Sequence, residues 1–229
     1  MKWSLLIAAI ALSSMFPFNT SAQENLSVHV GAMLPIGSFA RDNGGYLSNG
    51  ATGLNLGVEY TYPLKELQNF DLFGGIDINY SGLKKSYRNK NENMISKFPK
   101  YLNIPLSAGL RYNYKLNDKI ALFGKGGLAL DFFKVSKVEV RETINSWEST
   151  TNVDLSVKPG FVLGGGCSLN NSIEFGLSYF GFSAHKLEGV TKIVGRADRP
   201  ITERMKTNFL TLTAGVKLDY LKSAFSPRK

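Results

Sequence analysis

The sequence predicts an all-β fold, an eight-stranded antiparallel up-and-down transmembrane β-barrel with short turns at one end and long loops at the other. Three observations carry this. Apolar and polar residues alternate strictly in stretch after stretch, the connections between stretches alternate long and short, and tyrosines collect at the ends of the apolar faces.

The last stretch is the clearest. Leu210, Leu212, Ala214, Val216, Leu218 and Tyr220 alternate with Thr211, Thr213, Gly215, Lys217 and Asp219. A period of two is a strand with one apolar face, and a strand of about 9–11 residues crosses a bilayer at a tilt of ~45°. Seven earlier stretches read the same way. They are Leu26 to Ile36, Leu54 to Tyr62, Leu72 to Tyr80, Leu102 to Tyr114, Ile120 to about Val138, Val157 to Leu169, and Ile173 to Phe182. Glycines 164–166 interrupt the sixth. With no Lys-Ser or Lys-Thr following, they do not form a phosphate loop, and they mark a bend instead.

The links Pro63 to Asn69, Leu116 to Lys119 and Asn170-Asn171 are short. Gly82 to Lys100, Glu139 to Ser156 and Ala184 to Lys206 are long and are read as loops. Outer-membrane barrels have short periplasmic turns and long extracellular loops, which places both termini in the periplasm. Tyr60, Tyr62, Tyr112, Tyr114 and Tyr220 fall at the short-turn ends, and Tyr80, Tyr101, Phe132, Tyr179 and Phe209 near the long-loop ends. Two aromatic bands bounding an apolar belt are the expected interfacial girdles.

The start of the chain sets the compartment. Lys2, the apolar run Leu5 to Leu12 and the small residues Thr20-Ser21-Ala22 read as a secretory leader over 1–22, too short to span as a helix. The barrel then occupies 23–221, and 222–229 is a short basic tail with Lys222, Arg228 and Lys229. Formal net charge is +9, and loss of Lys2 with the leader lowers it by one. Cys167 is the single cysteine, so neither an internal disulfide framework nor a paired-cysteine metal site is expected.

Alternation alone does not say which face points outward. A lipocalin-like soluble binding barrel keeps its apolar face inside. With the polar face inside, the lumen collects Glu59, Asp77, Asp131, Glu174 and Asp219 against Arg111, Lys125, Lys158 and Lys217. An eight-stranded barrel has room only for side chains, so these groups must neutralise one another as a structural ionic plug. A conducting lumen, that is a narrow porin passing ions or small solutes, is the competing reading.

Tyr101-Leu102-Asn103-Ile104-Pro105-Leu106, running on to Leu110-Arg111-Tyr112, resembles the signature of the porin-like outer-membrane β-barrel family that includes the PorT proteins. The segment Gly31 to Phe39 is similar to that family's first strand, and the architecture is OmpX- and OmpA-like. The resemblance implies a Gram-negative outer-membrane barrel and an accessory role in envelope export or assembly. Thr213, Gly215, Leu218 and Tyr220 are similar to the signal read by the barrel-assembly machinery, although here the chain continues to Lys229.

The long loops are basic. Lys84, Lys85, Arg88, Lys90, Arg196, Arg199 and Arg204 would meet lipid and lipopolysaccharide phosphates at an outer surface. Other envelope proteins are the expected macromolecular partners, and nucleic acid is not one in this compartment. His29 and His185 lie far apart in sequence with no fitting partners at catalytic or metal spacing. Neither an enzymatic role nor a cofactor is expected. Trp147 stands alone in a polar loop, where it could anchor a partner or dip into the interface.

Overall fold

The computed structural model describes residues 25–41, 48–91, 95–142 and 147–218. The leader over 1–22, the tail over 222–229, Asp219 and Tyr220 lie outside the described residues. In chain order the elements are β1 (Leu26–Pro35), β2 (Gly53–Pro63), β3 (Phe70–Ser81), the short helix α1 (Lys85–Asn91) and β4 (Ile95–Lys97). They continue with β5 (Tyr101–Lys115), β6 (Ile120–Val135), β7 (Val138–Glu142), β8 (Trp147–Val153) and β9 (Ser156–Leu169). The last four are β10 (Ile173–Phe182), β11 (His185–Ile193), β12 (Arg199–Met205) and β13 (Phe209–Lys217).

Eight of these close a barrel in the order β1-β13-β10-β9-β6-β5-β3-β2, every neighbouring pair antiparallel. They match the eight predicted staves to within a few residues. Closure pairs the first strand with the last, Ser27 opposite Lys217, and leaves no free edge in the wall. The short turns carry their own chemistry. Asn170 and Asn171 take φ of 49° and 54°, the paired left-handed residues of a tight hairpin. In the Leu116–Lys119 turn, Asn117 Oδ1 accepts from the backbone N–H of Lys119 and of Ile120, each at 2.9 Å.

The apolar set points outward. Leu54, Leu56, Val58, Ile76, Ile78, Leu110, Leu128, Leu163, Leu177 and Leu212 are all exposed, Leu128 at 78 %. Asn55, Glu59, Asp77, Asn79, Arg111 and Asp131 alternate with them and are buried. This is the arrangement of a membrane barrel, with an apolar belt for lipid. A soluble lipocalin-like cup has the opposite arrangement.

Two members of the expected girdle are elsewhere. Tyr62, Tyr80, Tyr112 and Tyr114 are exposed outward, but Tyr101 and Phe209 are fully buried. They share the phase of Asn103 and Thr211, so the pleat turns them into the lumen. There they pack with Phe39, Phe133 and Phe180, Phe39 standing edge-on to Tyr101 at 5.2 Å and Phe209 stacking on Phe180 at 5.1 Å.

The long connections are not simply loops. β4, β7, β8, β11 and β12 form a second, five-stranded sheet in the order β12-β11-β8-β7-β4. Its order continues that of the barrel strands beneath, because the β7–β8 and β11–β12 hairpins are bent extensions of β6–β9 and β10–β13. Ile95, Val138, Val153, Leu187 and Met205 line its inner face and join one core with Met33, Phe39, Tyr101 and Phe133.

Candidate functional site: the lumen cluster and the sheet above it

Arg111 sits where four strands face one another across the lumen. From β5 its Nη2 lies 2.6 Å from Glu174 Oε1 of β10, and Nη1 lies 3.4 Å from Oε2 of the same carboxylate. Nη1 also donates to Glu59 Oε1 of β2 at 3.2 Å, and Nε donates to Asn113 Oδ1 at 3.0 Å. The guanidinium lies over the Phe123 ring, 3.9 Å from its centroid, a stacking contact open to a planar cation. The second carboxylate oxygen of Glu59 takes the Lys125 amine, which itself faces the Phe73 ring at 5.4 Å.

A second pair lies beside this one. His29 Nε2 and Asp77 Oδ1 are 2.8 Å apart, and Asn55 Nδ2 donates to the same oxygen at 2.9 Å. His29 stands opposite a glycine on each neighbouring strand, Gly57 on β2 and Gly215 on β13. A Cβ at Gly57 would lie 2.3 Å from His29 Nε2 and 2.6 Å from Asp77 Oδ1, so the pair exists only because position 57 has no side chain.

The lumen therefore has three levels. At the short-turn end a polar vestibule of about 290 Å³ is lined by Thr61, Asp71, Arg111, Asn113, Ser168 and Lys217. The charged cluster closes it, with a void of about 30 Å³ beside His29 and Lys125, room for about two waters. Above the cluster stand the packed aromatics Phe39, Tyr101, Phe133, Phe180 and Phe209. Two barriers of different chemistry lie in series.

Of the predicted lumen set, Glu59, Asp77, Arg111, Lys125 and Glu174 are thus brought together. Asp131, Lys158 and Lys217 do not join them, and Asp219 lies outside the described residues. Asp131 belongs to the junction with the outer sheet. Its Oδ2 accepts from Thr207 Oγ1 at 3.1 Å and lies 3.3 Å from His185 Nε2, all three residues being fully buried. That last contact is close but not aligned as a hydrogen bond. Because the threonine hydroxyl donates to the aspartate and not to the imidazole, this is not a nucleophile–base relay. Lys158 is Asp131's register partner on β9, yet it forms no ion pair among the described residues. Lys217 is at the short-turn rim, where its amine donates to Asn171 Oδ1 at 2.9 Å. The alternation fixes which residues point inward; their heights along the barrel separate these three from the cluster.

The predicted surface cations divide as well. The Lys84 amine donates to the Ala40 carbonyl at 2.5 Å, Lys85 opens α1, and the Arg88 guanidinium lies 5.5 Å from the Phe98 ring centroid. The Lys90 side chain is outside the described residues. Arg196, Arg199 and Arg204 lie on the β11–β12 hairpin, Arg204 directly opposite Lys186. For the assembly signal, Thr213 and Gly215 are in β13, Leu218 follows it, and Tyr220 lies outside the described residues. The Trp147 side chain is also outside them. His185 and the outer sheet are the parts that sequence reasoning missed, because alternation is broken in these short, polar strands.

An apolar outer belt, a charged lumen and a wall without edges define a transmembrane β-barrel of the outer-membrane class. The chain belongs to the family described as outer membrane protein beta-barrel domain, whose family model matches residues 6–217. Among solved structures, a major outer membrane protein from Thermus thermophilus is similar with a TM-score of 0.52 and 14% identity, over 84% of this chain and 98% of that one. AlkL in DMPC lipid bilayers gives a TM-score of 0.43 and 15% identity, over 88% of this chain and 94% of that one. Ail, the attachment invasion locus protein of Yersinia pestis, gives 0.40 and 16%, over 84% and 98%. The Thermus likeness supports the fold alone. No curated protein matches the chain.

Proposed function

We propose that this outer-membrane barrel is a plugged, non-enzymatic scaffold that acts through its outer sheet, as a structural or accessory subunit of an envelope export or assembly complex. The observation that carries the reading is the double closure of the lumen, by the Arg111–Glu59–Glu174–Lys125 cluster and by the aromatics above it. Breaking a buried ion pair costs about 3–5 kcal/mol, so an ion entering from the vestibule meets a high first barrier and an apolar second one. The long segments, by contrast, spend their residues on a folded sheet with a polar outward face, as a docking platform requires. The PorT-like resemblance of residues 101–112 supports the accessory role. In this reading both termini are periplasmic, the assembly machinery reads the last strand, and the partners are lipid, lipopolysaccharide and other envelope proteins.

Conductance in planar bilayers separates this from a narrow porin. The purified chain should insert and remain silent, and large stable steps would overturn the plug. Affinity isolation from detergent-solubilised outer membrane tests the accessory role. A tagged chain lacking the β11–β12 tip should lose its partner, whereas recovery of no envelope protein by the intact chain argues against a complex.

A further inference from the structure

We propose that Asp131 and His185 hold one proton between them and that this proton latches the β11–β12 hairpin to the barrel wall, so that raising the pH frees the foot of the hairpin. The residues involved sit where the hairpin leaves the barrel. His185 opens β11 just past the end of β10, and Thr207 lies in the link between β12 and β13. Asp131 belongs to β6 of the wall. One carboxylate oxygen, Asp131 Oδ2, therefore meets both legs of the hairpin, taking the Thr207 hydroxyl at 3.1 Å and standing 3.3 Å from His185 Nε2.

The burial of the three side chains selects the protonation state. All are fully buried, and Asp131 Oδ1 and both imidazole nitrogens have no hydrogen-bond partner among the described residues. With no proton on the pair, an aspartate anion is buried against a neutral ring. With two, an imidazolium is buried against a neutral acid. With one, the pair is neutral as a whole, and a small turn of the ring aligns the bond between them. A lone buried charge is penalised far more than a compensated one, so the site holds one proton, which belongs to the pair and not to either residue.

The titratable and charged groups on this inward face leave the pair to itself. From β9, Lys158 is the register partner of Asp131 yet forms no ion pair among the described residues. From β5, the Tyr101 hydroxyl donates to the Ser48 carbonyl at 3.0 Å. From β12, Met205 stands opposite His185, and Glu203 stands opposite Leu187, one step further along the same face. On β6 the Phe133 ring lies tilted over the imidazole at 5.2 Å, while Lys134 turns outward to the Val153 carbonyl. Phe209 of β13 and Val153 of β8 add apolar packing.

The latch acts on the least supported part of the outer sheet. β12 is the terminal strand and pairs with β11 alone among the described residues. β11 in turn pairs in register with β8 from Gly189 onward. Below that level the hairpin is held to the barrel by the buried pair and by the packing of Leu187 and Met205. Loss of the proton strands the aspartate charge beneath this foot, and local opening becomes more frequent. A group that gains its partner in the protonated form contributes stability at lower pH and loses it as pH rises. The latch rests on this pair and holds whether or not the sheet docks an envelope protein.

The test uses the full chain in micelles, with amide exchange normalised to the intrinsic rate at each pH and imidazole protonation read by nitrogen NMR. In wild type, raising the pH from 6 to 9 should cut protection of residues 185–188 and 202–205 about tenfold and leave β10 and β13 unchanged. The His185 ring, told from His29 by its absence in H185Q, should lose its shared proton over the same interval. D131N, neutral at every pH, should keep the foot protected throughout. K158M and E203Q should keep the wild-type response. A flat wild-type profile, an undiminished response in D131N, or loss of the response in K158M would each overturn the latch. So would a His185 ring whose titration does not coincide with the loss of protection, a comparison that needs no variant to fold.

Discussion

Arg111 and Glu174 face each other across the lumen through two contacts, at 2.6 and 3.4 Å, and the same guanidinium reaches Glu59 at 3.2 Å. One cation therefore holds two carboxylates from opposite walls, while Lys125 secures Glu59 a second time. Replacement of Arg111 by methionine keeps the volume and leaves Glu174 without its cation. The expected loss is about 3–5 kcal/mol, the range for orphaning a buried charge. Urea titration of the micelle-bound barrel, followed by the folded and unfolded bands on a gel, measures it. R111M/E174Q should recover most of the loss, since Glu59 keeps Lys125 and no stranded charge is left. A double variant no more stable than R111M would show that packing on Phe123 dominates.

Gly57 makes a second, sharper case. A methyl group there meets the His29 ring and the Asp77 carboxylate at once, and overpacking of this kind costs about 1–3 kcal/mol. G57A should be destabilised in the wild-type background and less so when combined with H29A, which removes the nearer of the two contacts. A double-mutant cycle isolates that coupling. Full additivity of the two changes would mean that the Asp77 carboxylate or the backbone, not the imidazole, resents the methyl.

The barrel was legible because period-two patterning is a local property of each strand, and a closed wall in lipid demands it of all eight. The phase of single residues follows from the same rule, yet for Tyr101 and Phe209 position along the strand points to the girdle while phase points inward. Phase prevails, and their odd-numbered positions put them inside with Asn103 and Thr211. The outer sheet was hidden for a different reason. Val138 and Val140 in β7, or Leu187, Val190 and Ile193 spaced by three in β11, give too few apolar alternations to stand out, and it is the pairing of β8 with β11 that makes them a sheet. The charged cluster was legible as a set of inward residues. Its partition was not, because Asp131 pairs with a histidine at the head of β11, a contact that no spacing along the chain encodes.

Two carboxylates give the outer sheet opposing responses to acid. On β7, Glu139 is held below the ordinary carboxylate range by its hydrogen bond to Lys137, helped by the charges of Lys137, Lys97 and Arg141. A depressed acid contributes stability above its unfolded value and loses it as pH falls through the folded one. On β12, partial burial raises Glu203. Its ionised form is penalised in the fold, so its cost is present at neutral pH and relieved by protonation. Hydrogen exchange on the two strands should separate them. Lowering the pH from 7 to below the ordinary carboxylate range should loosen the β7 amides around Glu139, and E203Q should slow exchange in β12 at pH 7 while removing its acid response. Identical pH profiles for wild type and E203Q would show that burial of Glu203 has no energetic consequence.

The last expectation concerns the lumen as a whole. The charge cluster and the aromatic plug lie in series, so removing either alone leaves the other in the path. Truncating Tyr101 and Phe133 to alanine deletes two rings that pack on Phe39 but keeps the Arg111–Glu174–Glu59 closure below. R111M/E59Q/K125M/E174Q does the reverse, discharging the lower barrier under an intact plug. Each set alone should leave the barrel silent in planar bilayers, and the combined variant should show discrete openings that depend on salt concentration. Two barriers that each suffice make closure insensitive to single lesions, which a scaffold with no transport role tolerates and a pore would not. Conductance in R111M/E59Q/K125M/E174Q alone would identify the cluster as the sole gate and the aromatics as a loosely packed cap. Silence of the combined variant, with insertion verified by its folded gel band, would show that the remaining wall side chains close the lumen without either barrier.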